Sequence, residues 1–317
     1  MNKKKILILI IIGILLGGIA IGLNIKLNDK WDYLIKDTLE TVDGTRATVI
    51  LLGGQSNAAG CSRDDYLKQN VSEEKYLEYQ KGYDNVYINY YVSGTNLSSG
   101  FVKCSTCQGE TGGFFGPELG LAEKLNECYP DEKFFIIKWT WSGTNLFEQW
   151  LSPSSKGKTG DLYKGFVKFV NTNLKYLKNK GYDIKIEGMC WMQGESDSFS
   201  LENAINYDIH LENFITDIRK EFNYYASNDG MAFIDAYIAN NPIYWVYCKE
   251  VNESKEKVAS KDELNKVIDT NLYGLTCDYE PVENPDRAHY DSLSQIKLGH
   301  LYCNFLAEFY DWKVNDK

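Results

Sequence analysis

Histidine is scarce in this sequence: three His occur among 317 residues, which leaves few positions for a catalytic base of that type. Positive charge is also limited, because 34 Lys and Arg face 44 Asp and Glu and the net charge is −10. No cluster of basic residues is available to neutralise phosphates, and this argues against nucleic acid as a partner. Aromatic residues, in contrast, make up 14% of the chain, and they either line a sugar-binding cleft or fill the core.

Long apolar runs are absent except for one, which extends from Ile6 to Leu23 and follows three lysines. A run of this length is typical of a membrane-spanning helix or of a signal peptide. No small-residue cleavage site follows it, so we expect residues 1–24 to be an uncleaved anchor and residues 25–45 to be a polar stalk. The protein would then be a single-pass protein of the cell membrane with its folded domain outside the cell. A cleaved signal and a secreted protein are the alternative.

Eight cysteines suit a location outside the cell, where some of them would pair. One pair is close in sequence, Cys104 and Cys107 in CSTC. A lone C-x-x-C without a second pair or a nearby His is weak support for zinc, and a local disulfide or two free thiols are the other interpretations. We therefore predict no metal site and no cofactor.

Predicted strands and helices alternate along the chain, as judged from apolar runs and apolar periodicity. The predicted strands are 46–54, 85–92, 133–141, 184–192, 231–239 and 272–277. The predicted helices are 117–129, 161–181, 201–222, 261–270 and 292–310. Residues 93–116 are rich in Gly, Ser and Thr and are predicted to be a loop.

This alternation predicts one α/β domain, residues 46–312, in which helices cover both faces of a mostly parallel sheet. Ligands of such sheets bind at the carboxyl ends of the strands. Three polar loops leave predicted strands at that edge: GGQSNAAG, SGTNLFEQW and QGESD. We expect these three loops to converge on one site.

Ser56 follows a glycine pair at the end of the first predicted strand, in GGQSN. A serine at this position either caps a helix, forms a turn or serves as a nucleophile. A phosphate-binding loop is a poor match, because no Gly-Lys-Ser/Thr follows the glycine pair. As a nucleophile, Ser56 needs a base, since a free hydroxyl is hardly ionised at neutral pH.

The three histidines provide the choice of base. His210 and His300 lie within predicted helices, in positions typical of surface or packing residues. His289 differs, because it lies in the polar loop NPDRAHYDSLSQ with Asp286 three residues earlier. Asp286 can accept the Nδ1 hydrogen of His289 and leave Nε2 facing a hydroxyl. A capping Asp and an exposed His are the alternative.

A tetrahedral intermediate would also need hydrogen-bond donors for its oxyanion. The candidates are the backbone N–H of Ser56, a glycine N–H within residues 112–116, and the side-chain amide of Gln193 in WMQGESD. Gln193 would otherwise tie loops together. Glu195 and Asp197 in the same loop would order the site. A glycosidase carboxylate pair is a less persuasive interpretation, since it leaves the Ser–Asp–His set without a role.

Five segments together resemble the sialate O-acetylesterase-like family, a branch of the SGNH (GDSL) hydrolase superfamily that overlaps carbohydrate esterase family six. The segments are GGQSNAAG, GPELGLAEKL, KWTWSGTNLFEQW, CWMQGESD and DRAHYDSLSQIKLG. They occur in the family's order and span residues 46 to about 310. The resemblance implies a three-layer α/β/α sandwich around a parallel, flavodoxin-like sheet.

The resemblance also implies roles for individual residues. The family's nucleophile corresponds to Ser56, flanked by Gln55 and Asn57 as binding residues. The terminal Asp-x-x-His of the family corresponds to Asp286 and His289, which complete a Ser-His-Asp triad.

The family's oxyanion donors fall in two further segments. The glycine donor corresponds to Gly116, with Gly113 as the alternative. The polar side-chain donor corresponds to Gln193, and Glu195 is its motif neighbour.

Two positions depart from the family pattern. Ala58 replaces the usual Met after Gln-Ser-Asn, which would widen the floor of the site, and Met192 occupies a position that is often His. The second change would alter substrate preference if that histidine contacts substrate. All triad positions are present.

The sequence therefore predicts a serine esterase that removes O-acetyl groups from carbohydrates through an acetyl-enzyme. Its expected partners are an acetylated glycan and, through the N-terminal helix, the membrane. An esterase for lipid or other small acyl esters and a non-catalytic glycan-binding surface module are the alternatives.

Overall fold

The computed structural model describes residues 31–310 of the protein. Its contacts separate a short piece, residues 31–34, from one domain that begins at Ile35. The short piece contains Trp31 and Tyr33, whose stacked ring centroids are 6.3 Å apart. The predicted anchor, residues 1–24, lies outside the described residues. Between residues 31 and 310 no helix is both long and apolar enough to cross a bilayer.

The domain begins with residues 35–45, which form neither helix nor strand. Backbone N–H groups of this segment donate to the domain at three places: Lys36 to the Ser99 carbonyl, Val42 to Lys180 and Gly44 to Gly181. This part of the predicted stalk therefore lies along the domain that follows it.

Strands and helices alternate from residue 46 onward. The strands are β1 (Arg46–Gly54), β2 (Ser62–Arg63), β3 (Val86–Val92), β4 (Asn96–Leu97), β5 (Val102–Lys103), β6 (Phe114–Phe115), β7 (Phe134–Thr140), β8 (Asp183–Met192), β9 (Ala232–Ala236) and β10 (Asn265–Ile268). The helices are α1 (Ser56–Ala59), α2 (Asp64–Asn70), α3 (Glu73–Lys81), α4 (Pro117–Cys128), α5 (Asp161–Asn179), α6 (Leu201–Ile205), α7 (Tyr207–Phe222), α8 (Cys248–Ala259) and α9 (Ser292–Ala307).

Six strands form a parallel sheet in the spatial order β10-β9-β8-β1-β7-β3, and the short β4 and β5 pair antiparallel with β3. The predicted mostly parallel sheet is thus confirmed. Strand β1 is central, and all its residues after Arg46 are buried. A parallel strand that is buried on both faces has a continuous run of apolar residues, and for this reason TVILL was recognisable as a strand in the sequence.

Helices cover both faces of this sheet. Successive side chains of a strand point to opposite faces, and two neighbours in β7 show this. Lys138 pairs with Glu118 of α4, whereas the Trp139 ring contacts Trp150, which in turn packs against Phe166 of α5. The α/β architecture with helices on either side of the sheet is therefore present.

The strand order differs from the order 2-1-3-4-5 of flavodoxin itself. Numbered along the chain, the parallel strands have the order 2-3-1-4-5-6, because β7 lies between β1 and β3. Burial accounts for the exchange. Every residue of β7 is buried, whereas three of the seven residues of β3 are only half-buried, and β3 carries the two short antiparallel strands. The more apolar strand occupies the inner position.

Predictions for residues 261–277 are wrong. Residues 265–268 form the edge strand β10 instead of a helix, and residues 272–277 form a turn and irregular backbone instead of a strand. The helix of this region is α8, whose sequence CKEVNESKEKVA contains too few apolar residues to show a helical period. In addition, the predicted helix 201–222 is divided into α6 and α7 at Asn206.

Candidate active site

The turn after β1 brings Ser56 to the carboxyl edge of the sheet. Gly54 ends the strand with φ of +133°, and a Cβ there would lie 2.0 Å from the Met192 carbonyl oxygen. A glycine is therefore required at this turn. The one-turn helix α1 begins at Ser56, so the N–H groups of Ser56 and Asn57 have no acceptor within the helix. Ser56 itself is only 7% exposed.

The three predicted loops meet at Gln193, which confirms their expected convergence. Its Nε2 donates to the carbonyl oxygen of Thr144 (2.8 Å), in the loop after β7, and to Asp197 Oδ2 (2.6 Å). The side-chain amide of Gln55, in the turn after β1, approaches the same nitrogen to 3.2 Å. With its nitrogen turned towards acceptors, the Gln55 amide donates to the Thr144 carbonyl (3.0 Å) and to Glu195 (3.3 Å).

Asp197 holds the loop after β7 against the loop after β8. Its carboxylate accepts the backbone N–H of Leu146 (2.9 Å) and of Phe147 (3.2 Å). Burial raises the pKa of the Asp197 carboxyl to about 6, although the hydrogen bonds from Gln193 and from the two backbone groups oppose this rise. Asp197 therefore organises the site, and no glycosidase-type carboxylate pair is needed to explain it.

Asn57 links Ser56 to the loop that carries His289. Its Oδ1 accepts the N–H of Tyr290 (3.0 Å), and its Nδ2 donates to the Ala288 carbonyl oxygen (3.3 Å). These two groups flank His289 on either side. The same Nδ2 donates to Glu195 Oε1 at 2.8 Å. The residue after Ser56 thus fixes the backbone around His289 and is in turn fixed by a buried carboxylate.

Asp286 and His289 form the predicted pair. The Nδ1 atom of His289 lies 2.8 Å from Asp286 Oδ2, and Asp286 Oδ1 accepts the N–H of Ala288 at 3.2 Å. The hydrogen bond to His289 lowers the pKa of Asp286 and keeps this carboxyl ionised. An ionised Asp at Nδ1 leaves Nε2 as the basic nitrogen of a neutral ring.

Cys61 is a neighbour of His289 that the sequence did not reveal. Burial would lower the pKa of His289, but hydrogen bonds and charge interactions with Asp286 and Cys61 outweigh it, so the pKa is raised. Both residues line a cavity of about 190 Å³ together with Phe114 and Pro281. No spacing rule connects Cys61 to His289, and only the tertiary fold brings them together.

Gly116 is the residue predicted as the glycine donor for the oxyanion. Its N–H donates to Glu118 Oε1 at 2.8 Å and is therefore occupied. The position instead provides close packing, because a Cβ on Gly116 would lie 2.7 Å from Gly60 Cα at the end of α1. Glu118 is itself paired with buried Lys138 at 2.8 Å, and Lys138 also donates to the Ala59 carbonyl. Gly113, the alternative, has an exposed position with φ of +87°.

Gln193 takes the connecting role that the sequence left open. Its amide nitrogen has two hydrogens, and acceptors on Thr144 and Asp197 engage both. The side-chain oxygen accepts from the Tyr207 hydroxyl at 2.9 Å. Gln193 therefore lies inside the predicted site, and both hydrogens of its side-chain amide are engaged in hydrogen bonds.

The other histidines have structural partners, as expected. His300 Nε2 lies 2.8 Å from Glu123 Oε2, and His210 Nδ1 lies 3.3 Å from Ser155 Oγ. All eight cysteines are free thiols. Among residues 31–310 no group of His, Cys, Asp and Glu side chains is arranged to hold a metal ion.

The two departures from the family pattern lie inside the fold. Ala58 and Met192 are both fully buried. Met192 ends β8, and its side chain packs in the interior, so in this structure it does not offer a substrate contact. Ala58 lies under the turn at Gly54, where an ideal Cβ would approach its Cβ to 3.0 Å.

Serine hydrolases use a serine nucleophile and a histidine that a carboxylate orients. Over residues 46–308 the sequence matches the model of the family described as carbohydrate esterase, sialic acid-specific acetylesterase. The chain belongs to this family and is a carboxylic ester hydrolase. A search of curated proteins found no match.

Solved structures with the same fold include three that cover most of this chain. A protein from Arabidopsis thaliana is 19% identical, with a TM-score of 0.59, over 83% of this chain and 99% of its own. NanS is 13% identical, with a TM-score of 0.58, over 84% and 98%. A carbohydrate acetylesterase from Xanthomonas citri is 16% identical, with a TM-score of 0.54, over 83% and 56%. At these identities the likeness establishes the fold.

Proposed function

We propose that the protein removes O-acetyl groups from carbohydrates, with Ser56 as nucleophile, His289 as base and Asp286 as the residue that orients His289. One observation carries the proposal: Asn57, adjacent to Ser56, hydrogen-bonds to both residues that flank His289. This contact joins the two ends of the candidate triad, which are far apart in sequence. Membership in the acetylesterase family supports the acetyl group as the part that is removed.

In the proposed first step, the Ser56 hydroxyl oxygen attacks the acetyl carbonyl carbon, and its proton passes to His289 Nε2. The carbon–oxygen bond to the sugar then breaks, and the same proton moves to the sugar oxygen. Water attacks the acetyl-enzyme with His289 again as base, which releases acetate and restores Ser56. Asp286 stabilises the imidazolium that forms in both steps.

The Ser56 N–H is the donor that we propose for the oxyanion. It occupies the first position of α1, where a backbone N–H has no acceptor within the helix. Oriented donors of this kind contribute about 3 kcal/mol to an acyl-transfer transition state. The N–H of Gly116 and the amide of Gln193 are engaged elsewhere and are left out of the proposal.

The test is acetate release from a panel of acetylated glycans by the protein without residues 1–24. Ser56→Ala should lower kcat by about four or more orders of magnitude with an unchanged unfolding temperature. Ser260→Ala, at an exposed position after α8, is the matched control and should retain full activity.

Three results would contradict the proposal in different ways. Wild-type activity in Ser56→Ala would exclude the nucleophile. Cleavage of long-chain acyl esters but of no acetylated glycan would indicate a lipid esterase. Glycan binding without any ester cleavage would indicate a non-catalytic surface module.

We further propose that residues 1–24 anchor the protein in the cell membrane, with the esterase domain outside. The support is the apolar run from Ile6 to Leu23 and the lysines that precede it. The full-length protein should remain with membranes after high-salt washing, and protease added outside the cell should degrade the domain. A mature protein that starts near residue 25 in the medium would favour secretion instead.

A further inference from the structure

A second cavity lies beside the one that contains His289. It has a volume of about 550 Å³, within the range of small-molecule sites, and lies between α2, the start of α9 and residues 274–282. The two cavities share Tyr66 and Glu280 as walls. The two cavities are therefore neighbours, and a ligand held at His289 would lie next to the larger one. We call the larger cavity the Tyr66 groove.

Two tyrosines on the Tyr66 groove are placed for contact with a flat, partly apolar ligand. Tyr66 on α2 is half-buried, and the guanidinium of Arg63 lies 5.0 Å from its ring centroid and fixes the ring on one side. Tyr279 on the opposite loop is 66% exposed. Tyrosine rings offer apolar faces together with a polar edge, which suits the mixed surface of a sugar ring.

The polar wall of the Tyr66 groove is rigidly built. Asp291, at the start of α9, accepts the backbone N–H of Asp278 (3.1 Å), Tyr279 (3.2 Å) and Glu280 (2.9 Å). Glu280 accepts the N–H of Ser292 at 2.7 Å. These bonds fix the loop 278–280 before any ligand arrives, so that binding costs little ordering of the loop.

The charge of this groove distinguishes between sugars. Asp278, Glu280 and Asp291 line it, and Lys297 is the cation among its lining residues. Arg63, in the smaller cavity, is already paired with Asp65. A negatively charged sugar would bring its carboxylate towards three acidic side chains, which disfavours binding. An uncharged sugar has no carboxylate to be repelled, and the exposed Asp278 carboxylate can accept from one of its hydroxyl groups.

We propose that the Tyr66 groove binds the carbohydrate that bears the acetyl group, and that this carbohydrate is an uncharged glycan chain. The inference rests on the proposed esterase function and specifies its substrate class. An aromatic pair and three acidic side chains line the groove, and this mixed surface fits a sugar chain better than a lipid acyl chain. Because the lining of the groove is net negative, it favours binding of a neutral glycan over binding of a negatively charged sialic acid.

The first experiment compares variants on two substrates, an acetylated xylo-oligosaccharide and p-nitrophenyl acetate, which has no glycan. Tyr66→Ala and Tyr279→Ala should each lower kcat/KM on the oligosaccharide by about tenfold, through KM, and lower p-nitrophenyl acetate hydrolysis by much less. Tyr66→Phe keeps the ring and should restore most of the activity. Tyr224→Ala, an exposed tyrosine after α7, is the matched control.

An equal loss on both substrates, or no loss on the oligosaccharide, would overturn the groove assignment. Retention of p-nitrophenyl acetate activity in the alanine variants also shows that they fold. If wild type cleaves neither substrate, the proposed function fails and the groove inference fails with it. If wild type cleaves both and the tyrosine variants behave like wild type, only the groove inference fails.

The second experiment tests charge with O-acetylated sialic acid at low ionic strength. Wild type should have at least tenfold lower kcat/KM on it than on the neutral oligosaccharide. Asp278→Asn should narrow this difference, because it removes one repelling charge at an exposed position. Equal or better cleavage of the sialic acid by wild type would overturn the assignment to uncharged glycans.

Discussion

Asn57 connects three parts of the site through a single side-chain amide. It bonds to both residues around His289 and to the buried carboxylate of Glu195. Burial raises the pKa of Glu195, and the hydrogen bond from Asn57 opposes this rise. Asn57 and Glu195 were predicted as binding residues, and Glu195 also as a residue that orders the site; the hydrogen bonds of both side chains run to other parts of the site.

Replacement of Asn57 by Ala should lower kcat by about tenfold to a hundredfold with little change in KM, because His289 loses its fixed position. The comparison is Glu195→Gln, which keeps an acceptor for Asn57 and should have a smaller effect. Steady-state kinetics on an acetylated oligosaccharide measures both. A full wild-type kcat in Asn57→Ala would show that the loop around His289 is held by other contacts.

The pH dependence of activity should reflect the neighbours of His289. As a base His289 must be neutral, and Asp286 and Cys61 raise its pKa. Activity should therefore increase with pH through a midpoint above the ordinary value for histidine, about 6.5. Cys61→Ala removes one interaction that raises the pKa, so the midpoint of kcat/KM should move to lower pH while activity at alkaline pH is kept.

A comparison of the pH–rate profiles of wild type and Cys61→Ala tests whether Cys61 raises the pKa of His289. Cys128→Ala is a suitable control, since Cys128 is a half-buried thiol at the end of α4 and outside the cavity at His289. An identical midpoint in wild type and Cys61→Ala would show that Cys61 does not interact with His289.

Residue roles that depend on short spacing were predictable, and roles that depend on side-chain partners were not. The contact between Asp286 and His289 follows from three residues of separation and is present. The hydrogen bond from the Gly116 N–H to Glu118 also joins close neighbours, but it depends on the orientation of the Glu118 side chain, which pairs with buried Lys138. A motif gives the position of a glycine but does not show where its N–H points.

At the scale of elements, α4 and α9 cross at two glycines. A Cβ on Gly120 would lie 2.0 Å from the Ile296 carbonyl oxygen, and one on Gly299 would lie 2.2 Å from the Pro117 carbonyl oxygen. Contacts this short with backbone cannot be relieved by a side-chain movement. The crossing brings α9, and with it the loop of His289, close to the start of α4.

Gly299→Ala should therefore lower the free energy of unfolding by about 3 kcal/mol, as expected for overpacking against backbone. Gly112→Ala is the control, because a Cβ at Gly112 meets nothing within 4 Å. Urea unfolding monitored by tryptophan fluorescence measures both variants. If Gly299→Ala and Gly112→Ala had the same free energy of unfolding, α4 and α9 would be able to move apart at this crossing without loss of stability.

Elements with a clear apolar pattern were predictable, and elements determined by pairing were not. Strands β1, β7 and β8 are buried runs and appear within one or two residues of their predicted bounds. Strand β10 is a four-residue edge strand that exists because Asn265–Ile268 pair with β9. Its sequence alone resembles a helix, since pairing partners are not visible along one strand.

At the scale of the whole molecule, the parallel sheet explains how distant segments form one site. The loops after β1, β7 and β8 leave the same edge, and the segment before α9 returns to it from the end of the domain. The sequence order of these segments does not matter for catalysis. What matters is that all of them lie at the carboxyl edge of the sheet, and this position was predictable from the α/β pattern.

The central claim is that the acetyl group passes through Ser56, and the most direct measurement is mass spectrometry of the enzyme quenched during turnover of an acetylated oligosaccharide. The account predicts an acetyl adduct on the peptide that contains Ser56 in wild type and none in Ser56→Ala, which should also release no acetate above background. Acetate release by Ser56→Ala at the wild-type rate, or an adduct on another residue, would contradict it.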